Sequence, residues 1–228
     1  MFLIVTAAAQ HTAERMIVTI VDDWNTNAGV VMLFERSNGS WKKMPVQFSV
    51  MIGQKGLGWG TGIHPAQEGT FTKKEGDKRS PAGLFELDTV LYGLAPEAPE
   101  GVRMPYRMLT SLTRCIDDTA SVHYNTIIEE GSVPKDWNSA EQMQRVDPDY
   151  KYVLNVRNNA GQQKGAGSCI FFHINPMPTS GCTAMEEEDM VTLLRWLDPA
   201  LRTVIVQLPQ AEYHRLQKEW DLPAIINN

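Results

Sequence analysis

The sequence predicts a mainly β domain with few helices, and three observations carry that prediction. Apolar, largely β-branched runs recur at residues 16–21, 30–35, 46–52 and 203–208, the pattern expected of strands. Ser37-Asn38-Gly39-Ser40 separates two of these runs, and Asn-Gly is a strong hairpin signal because both residues accept positive φ. A clear helical period is confined to residues 186–197.

Taken in order, residues 16–21 read as a buried strand and residues 30–35 as a second. After the Asn-Gly turn, residues 46–52 form a third, so the first third of the chain is an antiparallel meander. Residues 53–72 carry Gly56, Gly58, Gly60 and Gly62 at every second position. No Lys-Ser/Thr and no helical pattern follow, which excludes a phosphate loop and leaves a loop of closely packed backbone. Residues 75–83 are a turn cluster, and residues 84–87 a short strand. Residues 92–148, with prolines and acidic turns, read as irregular; a stretch of that length in one domain wraps the core or carries function. Residues 151–156 are a further strand. Residues 168–174 place Cys169, Phe171 and His173 on one face and Ile170, Phe172 and Ile174 on the other. Both faces are largely apolar, so this strand is expected to be central and buried. In the helix of residues 186–197, Met190, Val191, Leu193, Leu194 and Leu197 recur at helical spacing. Acidic residues fill its first turn, where the helix dipole is positive, and Pro199 lies beyond its end. Residues 203–208 form the last strand, and residues 211–220 a short terminal helix.

The chain has 228 residues, of which 43% are hydrophobic. That composition supports one sizeable core, and no linker, repeat or low-complexity tract divides the chain. A single domain over residues 16–228 is expected, with residues 1–15 a signal remnant or N-terminal extension. The apolar start ends in small residues, as the tail of a secretory signal does, but it is short and has no basic n-region. No stretch is long and apolar enough to span a membrane. The net charge is −6, and no basic stripe offers itself to phosphates, which excludes nucleic acid as a partner. A neutral peptide remains compatible. Nothing in the sequence fixes an oligomeric state.

The three cysteines, Cys115, Cys169 and Cys182, make neither a CxxC pair nor a zinc-like spacing. By composition they read as small buried hydrophobes. In an exported chain their odd number leaves at least one thiol unpaired. The block His173-Ile174-Asn175-Pro176-Met177-Pro178-Thr179-Ser180-Gly181-Cys182-Thr183 brings a histidine at a strand end into sequence with a cysteine a few residues before a helix. A thiol attacks as thiolate, and an imidazole or a helix N-terminus lowers its pKa. Gly181 leaves room for a carbonyl, and backbone N–H groups around Gly181 and Cys182 are candidates for an oxyanion hole. Residue types alone leave two other readings open. One is a hydrogen-bonded core histidine beside a small buried cysteine. The other is zinc bound through Cys169, His173 and Cys182, for which no fourth ligand is visible.

The residues Ile170-Phe171-Phe172-His173 followed by Thr179-Ser180-Gly181-Cys182-Thr183-Ala184-Met185 resemble the catalytic signature of the YkuD-type L,D-transpeptidases. That signature is a histidine at a strand end, a loop, then Ser/Thr-x-Gly-Cys. Glu75-Gly76-Asp77 with Ser80-Pro81-Ala82-Gly83, Asp117-Asp118 with Ser121, Tyr124 and Asn125, Ser139-Ala140-Glu141 and Gly165-Ala166-Gly167-Ser168 fit the same family, over residues 16–199. The resemblance implies a mixed β-sheet or sandwich catalytic domain. It implies Cys182 as nucleophile and His173 as base, with a backbone carbonyl orienting the histidine. It also implies Ser180, Gly181 and Thr183 as site-shaping residues, and Tyr124, Asn125 and Asn175 as cleft residues. The implied reaction forms a thioester on a tetrapeptide stem of peptidoglycan and then a 3→3 cross-link, without metal or organic cofactor, in the periplasm or cell wall. Water as acceptor makes the same site a carboxypeptidase or other stem-peptide hydrolase, and a non-catalytic peptidoglycan-binding module is the rival from another class.

The chain departs from the commoner signature in having Ser180 where a histidine precedes Gly-Cys, Ala184 where an arginine follows, and a shorter loop between histidine and cysteine. The donor site is therefore expected to be built differently. Asp77, Asp117 and Asp118 read as turn caps before ligands, and His123 as a lesser candidate base. Cys115 and Cys169 are close enough in kind to form a disulfide in an oxidising compartment, but sequence gives no distance between them.

Overall fold

The computed structural model of the chain describes residues 13–145 and 147–225. The stretch read as a signal remnant or extension lies outside the described residues except for 13–15. Strand β1 (Arg15–Val21) is followed by β2 (Ala28–Ser37) and β3 (Ser40–Met51). β2 and β3 are antiparallel, with Ser37 opposite Ser40, so the hairpin turns on Asn38-Gly39. Next come β4 (Leu57–Trp59), β5 (Ser80–Gly93), β6 (Tyr106–Met108), β7 (Thr113–Cys115), β8 (Ile127–Glu129) and β9 (Glu141–Gln142). A 3₁₀ turn (Pro148–Tyr150) leads to β10 (Val153–Val156), β11 (Phe171–Ile174) and β12 (Thr183–Met185). Helix α1 (Glu187–Trp196), strand β13 (Thr203–Pro209) and helix α2 (Gln210–Leu216) complete the order.

The fold is a 10-stranded mixed sheet running β10-β11-β12-β3-β2-β1-β13-β5-β4, with β6 paired to β5 and with β10 also paired to β5. That last pairing closes the strands from β10 to β5 into a ring and leaves β4 and β6 outside it. β5 makes this possible by its length. Its first half, Gly83–Glu86, lies against β13, and its second half, from Leu87 to Tyr92, lies against β10. β1–β13 and β11–β12 are the parallel contacts inside the ring. β5 runs through Gly83, whose φ is +144°. A Cβ there would fall 2.1 Å from His64 Nε2, so only glycine lets the buried His64 ring lie on the strand.

Two layers of core flank β11. Ile170 and Phe172 face the main core with Leu33, Phe85, Val206 and Leu193, while Phe171 and Cys169 face a smaller one with Tyr92, Cys115, Met143 and Tyr150. The alternation expected of residues 168–174 is thus present. The strand itself starts only at Phe171, because Cys169 has φ +55° and breaks the ladder. Fully burying a side chain such as Phe171 stabilises by roughly 1.5–3 kcal/mol.

The smaller core explains the main departure from the sequence reading. Residues 92–148 are not irregular throughout. They hold β6 and a separate 3-stranded sheet, β8-β7-β9, whose central strand ends in Cys115. Cys115 is disulfide-bonded to Cys169, with Cα atoms 5.9 Å apart, inside the range such bonds require. This sheet therefore sits as a cover over the outer face of β10 and β11. The glycine-rich loop likewise contains β4, and the terminal helix ends at Leu216 instead of continuing to residue 220.

Candidate active site

The outer face of β11 and β12 opens beneath this cover into a cleft of about 530 Å³, lined by Cys182, His173, Gly181, Ser180 and Asn175 among others. Cys182 stands at the residue before β12. Its carbonyl accepts the Ser80 hydroxyl at 2.8 Å and the Thr179 hydroxyl at 2.6 Å. Ser80 in turn accepts the Gly53 N–H at 2.8 Å, which ties the cysteine turn to the start of β5. The thiol accepts the Phe171 N–H at 3.3 Å and donates to the Cys169 carbonyl at 3.5 Å. Both partners lie at the entry to β11, so the residue that ends the disulfide also fixes the sulfur. Gly181 has φ +153°, and a Cβ there would meet the Arg79 carbonyl at 3.2 Å. The glycine before the cysteine is a backbone requirement of the turn.

His173 is opposite Ala184 across the parallel β11–β12 pair. Register partners project to the same face, so His173, Ala184 and, by alternation, Cys182 share one side of the sheet. The imidazole Nδ1 lies 3.2 Å from the Ile174 carbonyl. A carbonyl only accepts, so the neutral ring carries its proton on Nδ1 and presents Nε2 as an unprotonated base. The Tyr150 ring stands edge-on to it at 5.3 Å, and the Tyr150 hydroxyl donates to Glu141.

Electrostatics set the resting state of the pair. Burial pushes the Cys182 thiol up to about 12, and the Glu141 charge adds to it; the Phe171 N–H, Lys73 and Arg145 pull the other way. Burial also lowers His173 from 6.5, partly offset by its Ile174 bond and by Asp149. Near neutral pH the pair is therefore thiol and neutral imidazole. The helix N-terminus expected to activate Cys182 does not act, because β12 intervenes before α1. A reaction with His173 as base needs the ring unprotonated, so its acid limb moves down with the lowered pKa. We expect the rate of Cys182 acylation to hold constant as pH falls through 7 and to drop only below 6.5, with no thiolate absorbance in the ultraviolet at neutral pH. An acid limb at or above 6.5 together with a neutral-pH thiolate signal would contradict this.

The other residues singled out in the sequence divide. Ser180 and Asn175 line the cleft. Asn175 Nδ2 donates to Asp149 at 2.6 Å, and its Oδ1 accepts from Met177 N–H at 2.7 Å. The Gly181 N–H is committed to the Thr179 hydroxyl at 3.0 Å and is not offered to a substrate oxygen. Thr183 points into the core, where its hydroxyl donates to Gln207 at 2.8 Å. The reason is alternation: if Cys182 faces the cleft, its neighbour faces away. Tyr124 is fully buried behind the cleft, donating to Glu75, which also accepts from Ser168 at 2.7 Å and lines the cleft itself. Asn125 has φ +61° and clamps loops together, donating to the Asn158 and Asn159 carbonyls and accepting the Cys169 N–H. Neither reaches the cleft. Asp77 and Asp118 cap turns, accepting N–H groups of Lys74 and Arg79 and of Ala120 and Asn138 respectively. His123 lies edge-on to Trp137, outside the cleft lining. Zinc through Cys169 is ruled out as drawn, since that sulfur is bonded to Cys115.

The sequence reading missed Lys73, Arg145, Asp149 and Tyr150, all of which line the cleft. They come from segments far apart in the chain, and none stands in a local pattern that marks a site. Glu141 and Ser168 were visible only inside short stretches of family resemblance.

A family model, the YkuD L,D-transpeptidase catalytic domain, matches residues 23–206. No curated protein matches the chain. Among solved structures, the chain is similar to the helical cell shape determining protein Pgp2 from Campylobacter jejuni, with 13% sequence identity and a TM-score of 0.40. The similarity covers 86% of this chain and 48% of that one, so the chain spans about half the length of that protein.

Proposed function

The chain belongs to the YkuD L,D-transpeptidase catalytic domain family, and on that premise we propose that it cross-links peptidoglycan stem peptides with Cys182 as nucleophile and His173 as base. The observation that carries this reading is that a free thiol and an imidazole with Nε2 unprotonated open from neighbouring parallel strands into one cleft. In the first step Nε2 takes the thiol proton as sulfur attacks the carbonyl of the L-centre of the third-position diamino acid in a tetrapeptide stem. General-base help is needed because burial keeps the resting sulfur protonated. The charges of Lys73 and Arg145, which favour the thiolate, favour the oxyanion as well. The tetrahedral intermediate collapses, the imidazolium returns its proton to the leaving amine of the terminal D-alanine, and a thioester remains. An amine of a second stem then attacks the thioester and gives its proton to His173. The thiol re-forms, and a 3→3 cross-link results.

The Cys115–Cys169 disulfide supports work in an oxidising compartment such as the periplasm or cell wall. Among the described residues no helix is long and apolar enough to cross a membrane. Incubation with disaccharide tetrapeptide and mass analysis of the products tests the reading. The expected products are free D-alanine and a dimer joined through two third-position residues. D-alanine with tripeptide alone would assign water as the acceptor and make the enzyme a carboxypeptidase. Unchanged substrate with a folded protein would remove the catalytic reading in favour of a binding module.

A further inference from the structure

The cleft must hold a substrate that carries carboxylates, yet its lining is rich in acids: Glu75, Asp117, Glu141 and Asp149. Two permanent cations face them, Lys73 and Arg145. Lys73 is already occupied. Its side chain is 3% exposed, and its ammonium donates to Asp77 at 2.6 Å and to the Lys74 carbonyl at 2.7 Å. Ala184, where the resemblance expects an arginine, is fully buried and brings no charge.

Arg145 is different. Its side chain is 38% exposed. Among the described residues it hydrogen-bonds through Nε alone, to both oxygens of Asp147 at 3.1 Å. The Glu141 carboxylate stands 3.7 Å from Nη1, beyond hydrogen-bond range. The two terminal nitrogens therefore make no hydrogen bond to a described residue and keep the planar fork that grips a carboxylate at two points. The guanidinium carbon lies 5.1 Å from the Tyr150 ring centroid, and that same ring stands edge-on to His173. Arg145 and His173 thus contact the same ring in the same cleft, and the Arg145 charge favours the Cys182 thiolate.

We propose that Arg145 is the specificity-determining residue that holds a carboxylate of the donor stem peptide while Cys182 attacks it. The proposal rests on the stem-peptide reading above. The two stem carboxylates nearest the attacked carbonyl have the same chemistry: that of the terminal residue, and the side-chain carboxylate of a diaminopimelate-type third residue.

The test compares the full-length protein with Arg145→Gln and Arg145→Lys, each checked for an unchanged melting transition. Three tetrapeptides are supplied: the free acid, the terminal α-amide, and the peptide amidated on the side-chain carboxylate of its third residue. We expect the parent to favour the free acid over one of the amides in kcat/KM by about 10-fold, the effect of one partly exposed charge-assisted contact. Arg145→Gln is expected to lose that preference by falling on the free acid and on the amide that keeps the held carboxylate, and Arg145→Lys to keep part of it. Which amide is disfavoured assigns the carboxylate, and either assignment supports the proposal. A preference kept in full by Arg145→Gln overturns it. If the parent turns over none of the peptides, the transpeptidase reading fails separately. Calorimetric binding of the same peptides then decides the proposal: a free-acid preference that Arg145→Gln abolishes upholds it, and equal binding of acid and amides by the parent overturns it.

Discussion

Replacing Cys182 by alanine is expected to abolish turnover of tetrapeptide stems while leaving the fold in place. On the proposed mechanism the sulfur is the atom that forms the acyl bond, and no neighbour among the described residues can take its part. Cys115 and Cys169 are bonded to each other, and Ser180, though in the cleft lining, has no paired base among the described contacts. Loss of a covalent nucleophile commonly lowers kcat by about 10⁴-fold or more. The structural cost is small because the thiol makes only weak sulfur contacts with Phe171 and Cys169. The bonds that shape the turn run to the Cys182 carbonyl from Ser80 and Thr179, and alanine keeps that carbonyl. Steady-state release of D-alanine and a thermal melt of the same preparation check both halves. Turnover within ten-fold of the parent would remove Cys182 as nucleophile.

The second large effect is on stability. Removing the Cys115–Cys169 bond, as the double variant Cys115→Ala with Cys169→Ala, is expected to destabilise the protein by about 4 kcal/mol, from the loop entropy released by a sequence separation of 54 residues. Urea unfolding followed by tryptophan fluorescence measures it. The loss of activity is expected to exceed the loss of folded protein, because the bond pins the backbone that carries the Cys169 carbonyl and Phe171 N–H against the Cys182 sulfur. Titration in denaturant without reductant should give a single free thiol, Cys182. Three titratable thiols, or a double variant as stable as the parent, would show that the covering sheet is held by packing alone.

What the sequence disclosed and what it hid follow from the range over which each feature is encoded. The Asn38-Gly39 turn, the strand carrying His173 and helix α1 are local. Turn chemistry, alternation and a 3.6-residue period write each of them into a dozen residues or fewer. Cys182 and His173 share one short block, so their meeting in one cleft was legible as well. The cover was not. β9 is 2 residues long and β7 and β8 are 3 each, too short for any period, and they exist because the disulfide and the smaller core hold them. β5 was cut short in the reading because Pro81 and Gly83 are signals against a strand. Here Gly83 is where His64 packs, and β5 continues through it to Gly93. Arg145 and Tyr150 became site residues only when the chain folded the segment before β10 over β11. Thr183 shows the converse: it is next to Cys182 in sequence and on the opposite face in space.

Intact-mass spectrometry of the protein mixed with a tetrapeptide stem, acid-quenched before turnover is complete, tests the central claim most directly. The account expects a covalent increment equal to the stem less its terminal D-alanine, on the parent and absent from Cys182→Ala. A folded, active parent that never carries the increment, or a Cys182→Ala protein that does, would contradict it.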